Sequence, residues 1–233
     1  MSNIINKFEQ SPVIPVLTLN DKNEALKIAE ALIEGGLSNL EITLRTKNAL
    51  TCIEAIKKEF PDALVGAGTV IKTEQLQQLK DIGASFAVSP GFTVSLVKEA
   101  KSLDIPYLPG VSTPSEIIAL YELGVDFQKF FHAGNSGGYD MLKVYASIFR
   151  DIKFCPTGGI SSGDFKNYLK LNNVPCLGGS WMVDMKNLNY TNIKNIATSI
   201  IDFLHNPLQS QQHIDELEVA ILHKGIVSSF SKI

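Results

Sequence analysis

Short apolar, β-branched runs punctuate the chain at 13–17, 39–44, 63–67, 86–88, 105–108, 126–131, 153–155 and 175–177. Their centres fall about 20 to 27 residues apart, the length of a strand, a helix and the loops that join them. The segments between carry apolar residues at helical spacing. Over 23–34, Ala25, Leu26, Ala29, Leu32 and Ile33 share one face, with Ile28 at its margin, and 47–60 and 73–82 repeat the pattern. Thr113-Pro114-Ser115-Glu116 supplies an N-cap residue followed by proline at the first helical position. Eight strand–helix units call for a parallel sheet, and eight such units close into a (β/α)8 TIM barrel. An open, doubly wound sheet is the competing α/β fold. It requires a Gly-rich dinucleotide fingerprint near the N-terminus, and Val16-Leu17-Thr18-Leu19 offers none.

The pattern runs without a linker to residue 205, so 1–205 reads as one barrel domain. After His205-Asn206-Pro207 a Gln/Ser-rich hinge opens a C-terminal extension, 206–233, expected to form an amphipathic helix over 214–226. That helix would dock on the barrel or on a neighbouring subunit.

Composition narrows the function classes. Of 233 residues, 45% are apolar and 19% charged, as in an ordinary soluble domain. The net charge of −3 and the lack of a basic run argue against a nucleic-acid partner. No apolar stretch reaches membrane-spanning length, and the first ten residues lack the apolar core of a signal peptide. Cys52, Cys155 and Cys176 are odd in number, far apart in sequence and without a C-x-x-C pair, so they read as reduced core thiols of a cytoplasmic protein. No His/Cys/carboxylate group has ligand spacing, so neither a metal nor another cofactor is expected.

The chemistry gathers at strand ends. In 126–131, alternation puts Phe127, Lys129 and Phe131 on one face. A lysine between two phenylalanines sits in poor solvent for an ammonium ion. Desolvation favours the neutral amine, which attacks carbonyls to form Schiff bases. The simpler alternative is a lysine whose charge snorkels to water at the strand end. In 39–44 and the residue that follows, Glu41, Thr43 and Arg45 share the face opposite the apolar one. Barrel strands turn their apolar outer face to the helices, so this polar face points into the mouth. A self-satisfying Glu–Arg pair is the alternative. Convergence with Lys129 favours a site. Gly66-Ala67-Gly68-Thr69 removes side-chain bulk at the end of the third strand, where a ligand could approach the backbone, or where the chain simply turns. Gly158-Gly159 and Gly178-Gly179 follow the seventh and eighth strands, where barrels commonly bind phosphate through backbone N–H groups.

Taken in order, Glu41-Ile42-Thr43-Leu44-Arg45-Thr46, Gly66-Ala67-Gly68-Thr69-Val70, Ser89-Pro90-Gly91, Lys129-Phe130-Phe131, Pro156-Thr157-Gly158-Gly159-Ile160-Ser161 and Gly178-Gly179-Ser180-Trp181 resemble the 2-keto-3-deoxy-6-phosphogluconate (KDPG) and 4-hydroxy-2-oxoglutarate aldolases, over residues 11–205. The resemblance implies a homotrimeric class I, Schiff-base lyase of the Entner–Doudoroff type, without metal. Such an enzyme splits KDPG into pyruvate and glyceraldehyde 3-phosphate and often cleaves 4-hydroxy-2-oxoglutarate. It implies Lys129 as the imine-forming lysine and Glu41 as general acid/base. Arg45 and Thr69 match positions that hold the pyruvate carboxylate, and Thr157 a position facing the substrate hydroxyls. Gly158, Gly159, Gly179 and Ser180 match the phosphate cradle, and Phe131 the aromatic beside the imine. The same chemistry on the galacto-configured sugar acid is the near alternative. A phosphosugar isomerase or epimerase, or a non-catalytic phosphate-ligand barrel, is more distant, because neither needs a strand-borne lysine.

The family commonly continues Lys-Phe-Phe with Pro-Ala-Glu, whereas His132-Ala133-Gly134 stands here. This departure bears on substrate preference, and the extension bears on assembly. His132 is expected at the rim of the mouth. It is either a loop residue replacing a proline or a ring that hydrogen-bonds a substrate hydroxyl or tunes the site near neutral pH.

Overall fold

The computed structural model describes residues 2–205. The expected extension 206–233, with its helix over 214–226, lies outside the described residues. The strands are β1 (Val13–Leu17), β2 (Asn39–Thr43), β3 (Leu64–Gly68), β4 (Ala87–Val88), β5 (Tyr107–Leu108), β6 (Gly110–Val111), β7 (Phe127–Phe131), β8 (Lys153–Thr157) and β9 (Leu177–Gly179). The helices are α1 (Ser2–Gln10), α2 (Lys22–Glu34), α3 (Ala49–Glu59), α4 (Thr73–Asp81), α5 (Val94–Ser102), α6 (Pro114–Glu122), α7 (Gly138–Ile148), α8 (Phe165–Tyr168) and α9 (Tyr190–His205). Pairing is parallel throughout, in the order β5-β4-β3-β2-β1-β9-β8-β7-β6. The two ends of that order, β5 and β6, are separated only by Pro109, so the ring closes as a (β/α)8 barrel.

Pro109 explains why the fifth run appears as two strands. It has no N–H to give to the ladder. Its carbonyl still accepts from the backbone N–H of Lys129 at 2.8 Å, so β7 stays in register across the break. The run 105–108 stops short of Gly110 and Val111, which continue the strand beyond Pro109.

The helices form where the apolar spacing places them. Asp21 caps α2 by accepting from the Glu24 N–H at 2.8 Å. Thr113 and Glu116 cap α6 reciprocally, with Pro114 in its first turn. The inner face of α2 differs in detail from the expected one. Ile28 is fully buried with Ala25, Ala29, Ala31 and Leu32, while Leu26 and Ile33 are half-buried at its flanks. The helix lies between α3 and α9 as well as over the sheet, so flanking residues meet neighbouring helices and the central ridge meets the strands.

One element was not expected. Helix α1 carries Phe8, 1% exposed, edge-on to Phe86 with ring centroids 5.1 Å apart, and near Phe127 at 6.2 Å. With Ile14, Val88, Leu108, Cys155 and Cys176 these rings fill the barrel interior at its N-terminal end. Asn39, the first residue of β2, donates to the backbone carbonyls of Lys7 and Ser11 at 3.2 and 2.9 Å and ties α1 to the strand starts. Burying a phenylalanine side chain stabilises by about 1.5–3 kcal/mol. The floor therefore closes one mouth of the barrel and leaves the C-terminal mouth for chemistry.

Candidate active site

Lys129 lies at the middle of β7 and Glu41 at the middle of β2, and their side chains meet inside the barrel. Lys129 Nζ donates to Glu41 Oε1 at 3.1 Å and to Oε2 at 3.4 Å. Both residues are 4% exposed. A pair this deep is costly to desolvate and is retained only with close geometry. The ammonium also lies 5.2 Å from the Phe131 ring centroid, on the face that alternation assigned to both residues.

Gly66 and Gly68 make room for neighbouring side chains. A Cβ on Gly68 would run into the Glu41 carboxylate, and one on Gly66 into the Phe86 ring. The register pairs Glu41 with Gly66 and Thr43 with Gly68. The missing side chains are thus the space that the carboxylate and the floor aromatic occupy.

The polar face of β2 continues toward the mouth. Thr43 Oγ1 is 2.9 Å from Thr18 Oγ1. Arg45 Nε donates to Thr69 Oγ1 at 3.2 Å, and Thr69 takes the left-handed backbone, φ 63°. That conformation is rare for a β-branched residue and marks a constrained position. Thr18 was not singled out from the sequence. Alternation from Val16, which lines the same cavity, was the signal that would have found it.

Thr157 ends β8, 5% exposed, above Cys155 on the same face. A Cβ on the facing Gly178 would stand 2.7 Å from the Thr157 hydroxyl. Gly158 and Gly159 follow with φ of 93° and 74°, a turn that only glycine makes without strain. Trp181 fills the space that a Cβ on Gly179 would need, and Ser180 is exposed at the rim. A cavity of about 340 Å³ opens here, bounded by Arg45, Phe131 and Thr157 and by the two glycine turns with Ser180. Thr69 joins it through Arg45. Lys129 and Glu41 are not on its wall, and Lys129 adjoins it through Phe131, which is. A larger cavity, about 450 Å³ beside Lys57 and Asp62, sits at the strand starts and gathers none of these residues.

Two buried groups shape the surroundings. Ser89, from the Ser-Pro-Gly motif, is 2.7 Å from the Tyr107 hydroxyl, and burial pushes that phenol up to about 12. Cys155 and Cys176, far apart in sequence, are brought together, since Thr157 pairs with Gly178 and so sets the two cysteines opposite each other on β8 and the approach to β9. Burial, reinforced by Cys155, pushes the Cys176 thiol well above its ordinary range, which keeps it protonated and unreactive. Among the described residues, no group of three His, Cys, Asp or Glu side chains is arranged to hold a metal ion, and no helix is long and apolar enough to cross a membrane.

The geometry has counterparts in known proteins. A family model described as KDPG and KHG aldolase matches residues 4–199. The KHG/KDPG aldolase of Escherichia coli (strain K12) is 43% identical over 194 residues, 82% of this chain and 91% of the relative. The 2-dehydro-3-deoxy-phosphogluconate aldolase of Zymomonas mobilis is 46% identical over 183 residues, 78% of this chain and 88% of the relative. The crystal structure of KDPG aldolase from Legionella pneumophila, with pyruvate captured as a covalent carbinolamine intermediate, superposes with a TM-score of 0.80 at 44% identity. That match covers 82% of this chain and 95% of the other.

Proposed function

The chain belongs to the KDPG and KHG aldolase family, and from that premise we propose that it cleaves 2-dehydro-3-deoxy-6-phosphogluconate through an imine on Lys129. The observation that carries the residue assignment is the buried Lys129–Glu41 pair, 3.1 Å apart, beside Phe131, which walls a cavity bounded by two glycine turns.

Glu41 takes the proton that leaves Lys129 amine-neutral, and the amine adds to the C2 ketone. Glu41 passes that proton to the carbinolamine hydroxyl, which leaves as water, so an iminium forms and Glu41 is again a carboxylate. When the C3–C4 bond breaks, its electron pair passes into that iminium to give an enamine. Glu41, directly or through a water, accepts the C4 hydroxyl proton, and glyceraldehyde 3-phosphate departs. The same group returns a proton to C3, and hydrolysis of the imine releases pyruvate. Arg45, positioned by Thr69, offsets the carboxylate charge that opposes bond breaking beside it. Phe131 packs beside the imine, and Thr157 faces the substrate hydroxyls. Gly158, Gly159, Gly179 and Ser180 hold the phosphate, whose binding energy aligns the scissile bond. Cleavage of 4-hydroxy-2-oxoglutarate to pyruvate and glyoxylate uses the same lysine and carboxylate. The iminium is the electron sink, so these steps need no metal.

We also assign the chain a homotrimeric assembly. Ile118 and Tyr121 on α6, and Val144 and Ile148 on α7, expose large apolar side chains and are suited to subunit contact.

Borohydride added with pyruvate tests the central assignment. It should inactivate the protein and leave one reduced pyruvate on the peptide containing Lys129. Labelling of another lysine, or of none, would remove the assignment.

A further inference from the structure

We propose that His132 is a specificity-determining residue that binds the distal, phosphorylated end of the substrate. The inference deepens the aldolase reading and rests on it.

His132 lines the cavity, three residues beyond Lys129. Strand β7 stops at Phe131 and a 3₁₀ turn begins at Ala133, so the alternation that would have turned His132 outward ends there. Two strand steps from Lys129 to Phe131 advance about 7 Å, and His132 stands one residue further on, within the reach of a six-carbon chain from an imine at C2 to its terminal phosphate. The ring stands against the turn after β8. A Cβ on Gly158 would lie 2.8 Å from His132 Nε2, and one on Gly159 3.1 Å from Cε1. The Gly134 N–H donates to the Gly158 carbonyl at 2.9 Å and holds the two loops together.

The charge distribution of the cavity gives this placement its meaning. Among the described residues Arg45 is the only Lys or Arg on the cavity wall, and it is bonded to Thr69 rather than to the glycine turns. Around Gly158, Gly159, Gly179 and Ser180 the wall offers neutral backbone and hydroxyl donors, plus this one imidazole. The ring is held by packing, with its centroid 5.4 Å from that of Phe131. Neither ring nitrogen is hydrogen-bonded among the described residues, and Nδ1 is closed off from solvent, so Nε2, beside Gly158, is the nitrogen left to meet a ligand. The imidazole therefore carries hydrogen-bonding capacity that the protein leaves unused, on the wall where an anionic group is to be held. An N–H donor there favours the phosphorylated chain over its unphosphorylated counterpart.

The test is condensation of pyruvate with glyceraldehyde 3-phosphate or with glyceraldehyde, using the full chain and its His132→Phe, His132→Leu and His132→Gln variants. The readout is the ratio of kcat/KM for the two aldehydes. His132→Phe should lower the ratio tenfold or more, about 1.4 kcal/mol. His132→Leu serves the same purpose if the Phe variant does not fold. His132→Gln, which keeps an N–H donor near Nε2, should recover most of the ratio. An unchanged ratio, or an equal fall for both aldehydes, would overturn the inference and leave the ring only a support for the turn. If the wild-type chain condensed neither aldehyde, the aldolase reading itself would fall, and this inference with it.

Discussion

Replacing Glu41 with glutamine separates the two halves of the proposed chemistry. The amide keeps the shape of the side chain and one acceptor oxygen, but it removes the charge that faces Lys129 Nζ at 3.1 and 3.4 Å. Two costs follow. Breaking one partner of a buried ion pair typically destabilises by about 3–5 kcal/mol. Here that is an upper limit, because the amide oxygen retains a contact and the cavity above admits water. A domain of ordinary stability, about 5–15 kcal/mol, survives the loss. Urea unfolding at 25 °C should show a lower midpoint with a cooperative transition. The second cost is kinetic. A positioned general acid/base contributes about 10²–10⁴-fold, equivalent to about 2.7–5.4 kcal/mol of barrier. Water can carry the proton transfers of imine formation once the carboxylate is gone, so borohydride should still trap pyruvate on Lys129, at a lower rate. Exchange of the pyruvate methyl protons with D₂O, followed by proton NMR, should slow by about 10²–10⁴-fold. Exchange within tenfold of wild type, in a variant shown to be folded, would refute the role given to Glu41 and point to another group as the proton carrier.

Gly68→Ala places a Cβ against the Glu41 carboxylate; methyl-proton exchange should fall toward the Glu41→Gln rate while pyruvate trapping persists, and a wild-type exchange rate would show that the carboxylate has room to move. Phe8→Ala opens the barrel floor and should lower unfolding free energy by about 3–5 kcal/mol in urea. Because Phe8 lies at the far end from the site, kcat in that variant should stay close to wild type. The Tyr107 phenol, at about 12 when folded against about 10 when exposed, favours the fold in its neutral form. This contribution is whole below pH ~10 and is lost as pH rises through about 12, a difference of about 2–3 kcal/mol. Circular dichroism in an alkaline titration should show unfolding in that window, and Tyr107→Phe should move the midpoint upward; an unmoved midpoint would assign alkaline unfolding to other groups.

Much of the barrel and its mouth was legible along the chain because the relevant information is local. Alternation in 39–44 and 126–131 depends only on residues two apart, and it put Glu41, Thr43 and Lys129 on interior faces. The cap at Thr113 and the glycine turns after β8 and within β9 follow from the φ/ψ preferences of single residues, which any fold containing them must respect. The count of strand–helix units pointed to closure of the sheet. Distances between elements were not legible, because they depend on how the closed sheet sets its register. The 3.1 Å approach of Lys129 to Glu41 spans 88 residues of sequence. The opposition of Cys155 and Cys176, the Thr18–Thr43 contact and the use of Gly68 as space for a carboxylate arise from the same inter-strand register. The floor formed by α1 escaped the pattern because Phe8 finds its partners, Phe86 and Phe127, only after the barrel has gathered them. His132 shows the division within one residue. Its neighbours in sequence marked a strand end, and only packing against Gly158 and Gly159, brought alongside by β8, decided which way the ring faces.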